Sequence, residues 1–259
     1  MNTYVLNVMN LPFTIMVNSI SKDLKIEKTV KTIHSLLIDA DRRFSPFKAN
    51  SMVSRFQHGD HGVLSDEDFQ EVYLKTLLAQ VETDGLFDPF YSGVYDPTGL
   101  VKGWIVETAF NQVLEPLLRT GQVTAAAINA GGDMIVSANA FQTAWTVGIE
   151  NPCDTHHYVA AFPLRSGAVA TSGSSKRGEH IKRAHHDIVQ STVIADSLVD
   201  ADVWTTALFA ASRDDIPHLI AEHTLTAFLV TDSGQYQNYS RGTLVDASSI
   251  SSHDKEFWR

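Results

Sequence analysis

The hydrophobic period of this 259-residue chain switches repeatedly between two and roughly 3.6 residues, without the strict strand–helix–strand alternation of a parallel sheet. Residues 3–18 alternate apolar and polar positions and are rich in β-branched side chains, which predicts a first strand. Residues 26–40 place Val30, Ile33, Leu36 and Leu37 at helical spacing. Residues 65–81 open on Ser65-Asp66-Glu67-Asp68, a capping-box-like start for a second helix. Helical periodicity returns over 104–118 and, in strongly apolar form, over 200–211. Strand-length runs occur at 124–128, 134–137, 144–149, 157–163 and 191–195. Residues 225–231 and 235–239 read as a closing hairpin about Asp232-Ser233-Gly234. The segments 41–56, 83–103 and 169–180 are irregular or dense in Gly, Pro, Ser and Asp. A turn-rich stretch as long as 83–103 predicts a functional loop rather than a linker. The whole pattern predicts an α+β fold, and no GxGxxG follows the first strand to suggest a dinucleotide-binding βαβ unit.

The length suits one domain over 1–259 or two interleaved lobes, and 44% hydrophobic against 19% charged residues is enough to bury a core. The formal net charge is -10, which repels phosphate backbones and makes nucleic acid a poor partner. Any phosphate-bearing ligand of so acidic a chain needs a local cation, from Lys, Arg or a divalent metal. The single cysteine, Cys153, excludes an internal disulfide framework and a CxxC metal site. The N-terminal residues show no basic region followed by an apolar run, and no stretch is long and apolar enough for a membrane span. A cytoplasmic location is the expectation.

Four constellations carry candidate chemistry. Asp202 and Thr206 are four apart, on one face of the apolar helix, among Val203, Ala207, Leu208 and Phe209. A carboxylate in such surroundings requires a partner, and a hard cation with oxygen ligands would serve. An N-terminal Asp favoured by the helix dipole, with Thr206 bonded to its own backbone, fits the same spacing. Asp96-Pro97-Thr98-Gly99-Leu100-Val101-Lys102-Gly103-Trp104 brackets a lysine with two glycines at a helix start, suiting either an anion site or a plain turn. Gly85-Leu86-Phe87-Asp88-Pro89 puts an acid beside an aromatic in a turn. Residues 170–181 offer hydroxyls, Lys176, Arg177 and the imidazole of His180, a candidate general base or part of a surface loop. Gly131-Gly132-Asp133 reads as a tight turn between strands.

Taken in order, these segments resemble the ApbE family of FAD:protein FMN transferases. Met9-Asn10-Leu11-Pro12-Phe13 is similar to the family's opening Met-Gly-Thr segment, and Phe44-Ser45 with Ser51 and Ser54 to its F-S…S-x-x-S region. Residues 83–89 resemble T-x-G-x-F-D-P, and 96–104 resemble D-x-x-A-x-x-K-G-[YW]. Residues 129–133 fit N-x-G-G-D, and 145–152 fit W-x-V-G-I-x-x-P. Residues 170–181 are similar to A-T-S-G-x-x-x-R-G-x-H-I, and 201–209 to A-D-x-x-x-T-A-L-F. Asn10-Leu11 departs from the opening Gly-Thr, and Lys182-Arg183-Ala184-His185-His186 departs from the usual D-P-x-T-G-x-P.

The resemblance implies a T-fold-like mixed α/β architecture with a central antiparallel sheet and flanking helices. It implies Mg²⁺ held by Asp202, Thr206 and the backbone carbonyl of Gly99. It implies FAD lined by Met9, Leu86, Phe87, Asp88, Asp96, Lys102 and His180, with His180 and Asp202 as catalytic residues. The implied reaction moves FMN from FAD to a Thr or Ser hydroxyl of an acceptor protein and releases AMP. Two other outcomes stay open at this point: water as acceptor, giving an FAD pyrophosphatase, and FAD binding without catalysis.

Overall fold

In a computed structural model of the chain, residues 1–19, 26–173 and 185–245 are described. The alternating N-terminal segment forms a hairpin, not one strand: β1 (Asn2–Val8) pairs antiparallel with β2 (Leu11–Ser19). Met9 and Asn10 make the turn with φ of 54° and 56°, the left-handed pair that a two-residue hairpin needs. Asn accepts that conformation readily, but Met does not advertise it, so the alternation hides the reversal.

α1 (Ile26–Phe44) buries Ile26, Val30, Ile33, Leu37, Ala40 and Phe44 on one stripe and runs a turn beyond the predicted end. Its last turn carries Arg43, whose guanidinium is paired with Asp66 and lies 2.6 Å from Asp68. A short α2 (Met52–Gln57) interrupts the segment expected to be irregular, and Ser51 caps it by accepting from the Ser54 N–H at 3.0 Å. α3 (Glu67–Glu82) starts at Asp66, which accepts from the Phe69 N–H, so the cap is Asp66 rather than Ser65. α4 (Thr98–Ala109) begins six residues before the predicted helix. It passes through a π turn at Phe110–Leu114 into α5 (Glu115–Arg119). The π turn comes just ahead of Pro116, which has no N–H for the helical ladder.

The remaining strands are β3 (Val123–Ala130), β4 (Asp133–Ala138), β5 (Trp145–Asn151), β6 (Asp154–Leu164), β7 (Ser166–Gly173) and β8 (Ile188–Ala195). After α6 (Leu198–Ala210) and α7 (Ile216–Glu222) come β9 (Thr226–Thr231), β10 (Tyr236–Ser240) and β11 (Thr243–Val245). Nine strands form one sheet in the order β1-β2-β3-β4-β7-β8-β9-β10-β11, and every pairing is antiparallel. β5 and β6 make a separate two-stranded ribbon. The Gly- and Ser-rich run from 169 therefore begins as sheet, because Ala168 and Ala170 are small enough to lie flat under a helix.

Strand alternation sorts the side chains into two cores. Ala168, Ala170, Ala227 and Leu229 face the helices, where α6 packs on β7 and β8, α4 on α6, and α1 on α4. Val169, Phe228 and Val230 face the other way, against Val147, Ile149 and Ala160 of the ribbon. Phe228 is 2% exposed, and truncating such a ring to alanine costs about 3–5 kcal/mol, so it anchors the ribbon to the sheet. Among the described residues no helix is long and apolar enough to cross a membrane.

Candidate functional site

The end of the sheet where β4 and β7 meet the two helices opens into a cavity of about 800 Å³, within the range of small-molecule sites. Each wall follows from local sequence. At the C-terminus of α3 the Thr83 hydroxyl donates to the Ala79 carbonyl at 2.7 Å and accepts from the Phe87 N–H at 3.0 Å. Asp84 and Gly85 turn the chain through φ of 50° and 80°. The ring of Phe87 is thereby driven into the core, and Asp88 accepts from Gln80 and from the Phe90 N–H, both at 2.8 Å. Leu86, Phe87 and Asp88 line the cavity.

Asp96 starts α4, accepting from the Thr98 N–H at 2.9 Å and from its hydroxyl. The Tyr91 hydroxyl lies 3.5 Å from Asp96, and burial followed by that carboxylate pushes the phenol pKa up. Gly99 and Lys102 face the same space one turn on. A Cβ at Gly99 would stand 3.1 Å from the Phe87 ring edge, so the small residue there makes room for that ring.

α6 is buried on almost every side, and Ser197 caps its start by accepting from the Asp200 N–H. Asp202, 4% exposed, and Thr206 line the cavity. The neighbouring Thr205 donates to the Ser191 carbonyl at 2.6 Å and accepts from the Ser172 N–H at 3.2 Å, which pins the helix to β7 and β8. The Ser172 and Thr206 hydroxyls are 3.5 Å apart. Glu107 of α4 accepts from the Ser197 hydroxyl at 3.0 Å and from the Leu198 and Val199 N–H groups at 2.7 and 3.2 Å. It thus places a negative charge at the positive end of α6. At Gly103 the two helices approach so closely that a Cβ would lie 3.0 Å from the Leu198 carbonyl oxygen.

Two helices and a loop therefore bring Leu86, Phe87, Asp88, Asp96, Gly99, Lys102, Asp202 and Thr206 to one cavity. Met9 is not among the lining residues; it sits half-buried in the β1–β2 turn against the helix-side core. His180 lies outside the described residues. Among those described, no group of three or more His, Cys, Asp or Glu could hold a metal. Asp88, Asp96, Asp133, Glu150 and Asp202 are the acids among the described lining residues; of these, Asp202 with the Thr206 hydroxyl on the same helix and nearby main-chain carbonyls offers oxygen donors that suit a hard cation such as Mg²⁺.

Several cavity residues are given no site role by the sequence. Asp133, 2% exposed, is more than a turn residue: Lys102 forms an ion pair with it, and it accepts from the Thr171 N–H at 3.0 Å. Its N-x-G-G-D setting was the available signal, since Asn129 accepts from the Gly132 N–H at 3.0 Å and fixes the turn. Buried Gln190 donates to the Glu150 carbonyl at 3.0 Å and lines the ribbon side. Phe47, 91% exposed, and Tyr158 also line the cavity. Tyr158 lies over Gly148, where a Cβ would come within 2.7 Å of the ring. No local pattern announces these side chains.

The ApbE family matches this chain over residues 94–229, which includes α4, β7 and α6. An FAD:protein FMN transferase of Klebsiella pneumoniae (strain 342) is 29% identical over 129 residues, covering 44% of this chain and 38% of that protein. One from Escherichia coli (strain K12) is 27% identical over 105 residues, covering 35% and 30%. The alignments thus span less than two fifths of these relatives' lengths. Solved structures share the fold. The ApbE protein of Thermotoga maritima superposes with a TM-score of 0.76 at 18% identity, covering 100% of both chains. The flavin transferase ApbE of Vibrio cholerae gives 0.73 at 14% identity, covering 92% of this chain and 96% of that one.

Proposed function

Because the chain belongs to the ApbE family, which it matches over just more than half its length, we propose that it transfers the FMN half of FAD to a target protein. The acceptor is a threonine or serine hydroxyl, AMP is the leaving group, and Mg²⁺ is required. The observation that carries this reading is the convergence of Asp202, Thr206, Gly99 and Lys102, from two helices, on one cavity. The names of the relatives, FAD:protein FMN transferase, support the same reaction class.

When bound, Mg²⁺ would be held by Asp202, Thr206 and the Gly99 carbonyl and would offset charge on the pyrophosphate. The chain's own part is positioning. Asp202 and Thr206 are fixed by the Thr205 anchor and by the Glu107 cap on α6. Lys102 is the cationic side chain among the described lining residues, in a chain of net charge -10. Phe87, Val147 and Ile149 are buried apolar residues that line the cavity and offer a ligand an apolar surface. The acceptor oxygen forms a bond to the FMN-side phosphorus as the bond from that phosphorus to the bridging oxygen breaks. AMP departs with the bridging oxygen and its electron pair. The acceptor hydroxyl gives its proton to a base, the role assigned to His180.

The test is mass spectrometry of a candidate acceptor after incubation with the protein, FAD and Mg²⁺. The expected result is a mass gain equal to phosphoester-linked FMN, lost with EDTA and in Asp202→Ala. AMP and free FMN formed equally fast without acceptor would instead identify a hydrolase. Tight FAD binding with no AMP released would identify a binding protein.

A further inference from the structure

Two buried carboxylates and one ammonium group share the floor of the cavity. Lys102 forms its close ion pair with Asp133, and its Nζ stands 3.6 Å from Oδ1 of Asp202. Asp133 is 2% exposed, Asp202 4% and the Lys102 side chain 17%, so solvent screens these charges weakly. We propose that Asp133 is a positioning residue that holds the Lys102 ammonium off Asp202, so that lysine and a divalent cation can occupy one site together. This rests on the reading of Asp202 as a cation ligand.

The argument is one of competition for a carboxylate. An ammonium group and a dication both seek the Asp202 oxygens, and in a weakly screened site the nearer one excludes the other. Lysine is a flexible point charge on a four-carbon stem, so it goes to whichever acid attracts it more. Asp133 is built to win. It follows a turn set by Gly131 and Gly132, with φ of 69° and 114°, and the Asn129 side chain closes that turn. Its Oδ1 is fixed by the Thr171 N–H at 3.0 Å, which aims Oδ2 at Lys102. Without the Asp133 charge, Lys102 needs to move less than an ångström to reach a charge-assisted contact of about 2.8 Å with Asp202. It would then act as a tethered competitor of the metal.

The experiment measures Mn²⁺ binding to the FAD-free protein by the loss of the free-ion EPR signal. Wild type is compared with Asp133→Asn, Lys102→Met, the double variant and Asp202→Ala. Asp133→Asn keeps an oxygen for the Thr171 N–H, and Asp133→Ser serves as a second way to remove the charge; circular dichroism shows that each is folded. The expected result is Mn²⁺ affinity weakened by about tenfold or more in either Asp133 variant. Adding Lys102→Met should bring it back to within about threefold of wild type. A purely structural role for Asp133 would leave the loss in place when the lysine is removed. Unchanged affinity in the folded Asp133 variants, or a loss that survives Lys102→Met, overturns the proposal. If Asp202→Ala binds Mn²⁺ as wild type does, it is the assignment of the metal to Asp202 that fails, a separate outcome.

Discussion

Replacing Gly103 by alanine tests whether the α4–α6 crossing sets the geometry of the site. The added Cβ would lie 3.0 Å from the Leu198 carbonyl oxygen, 3.3 Å from its carbon and 3.4 Å from the Val199 Cα. All three are backbone atoms at the start of α6, and that helix is held by the Glu107 cap and the Thr205 anchor. Ordinary contact begins near 3.4 Å, so the helices must part by about 0.4 Å in a close-packed interior. Overpacking of this kind costs about 1–3 kcal/mol. Alanine recovers about 1 kcal/mol of helix propensity, leaving a net loss on the order of 1 kcal/mol. The effect on catalysis should be larger, because α4 carries Gly99 and Lys102 while α6 carries Asp202 and Thr206. Misplacement by 1 Å can cost about a hundredfold, so a few tenths of an ångström should cost about three- to tenfold. Urea unfolding and the rate of AMP release from FAD with acceptor measure the two effects. Gly99→Ala is the contrast, because its nearest neighbour is a Phe87 side-chain ring edge at 3.1 Å rather than backbone of the opposing helix. A Gly103→Ala protein as active as wild type, with a raised urea midpoint, would show that the crossing is compliant and refute the reasoning.

Glu107→Ala removes three hydrogen bonds at the start of α6 and should lower unfolding free energy by about 1–3 kcal/mol, whereas Glu107→Gln, which keeps an acceptor oxygen, should lose less in the same urea titration. Phe47→Ala should leave stability within about 0.5 kcal/mol, since the ring is 91% exposed, yet weaken FAD about two- to tenfold by fluorescence titration if the ring contacts the ligand. The Arg55 guanidinium, then the Gly62 N–H, hold the Asp60 carboxyl below its ordinary value of 3.8. Its contribution is therefore present above that value and is lost as the pH falls through the lower folded-state value, so Asp60→Asn should reduce the urea midpoint at pH 7 and make no difference in strong acid.

Much of the site is legible because its chemistry is local. The Thr83–Gly85–Phe87–Asp88 pattern encodes its own turn, with the hydroxyl, the left-handed glycine and the carboxylate all acting within eight residues. Asp202 and Thr206 share a helix face whatever surrounds the helix. Met9 shows the limit, since its family position suggested the cavity and its backbone placed it in a hairpin turn. The start of α4 at Thr98 was hidden by Pro97 and Gly99, which read as turn residues, although Pro97 sits at the cap just ahead of the helix and Gly99 lies in its first turn.

The sequence alone determined the α+β class, the strongly apolar last long helix, the acidic balance that demands a local cation, and the local turns that shape the loop before α4. Only the tertiary structure decided that Lys102 answers to Asp133, that Glu107 caps a helix ninety residues away, and that Phe47, Tyr158 and Gln190 share the cavity. The reason is physical. Periodicity and capping act over one or two turns of chain, whereas ion pairs and cavity walls depend on which strands become neighbours. In this sheet β4 pairs with β7 across the ribbon, and that pairing is what brings Asp133 to Thr171.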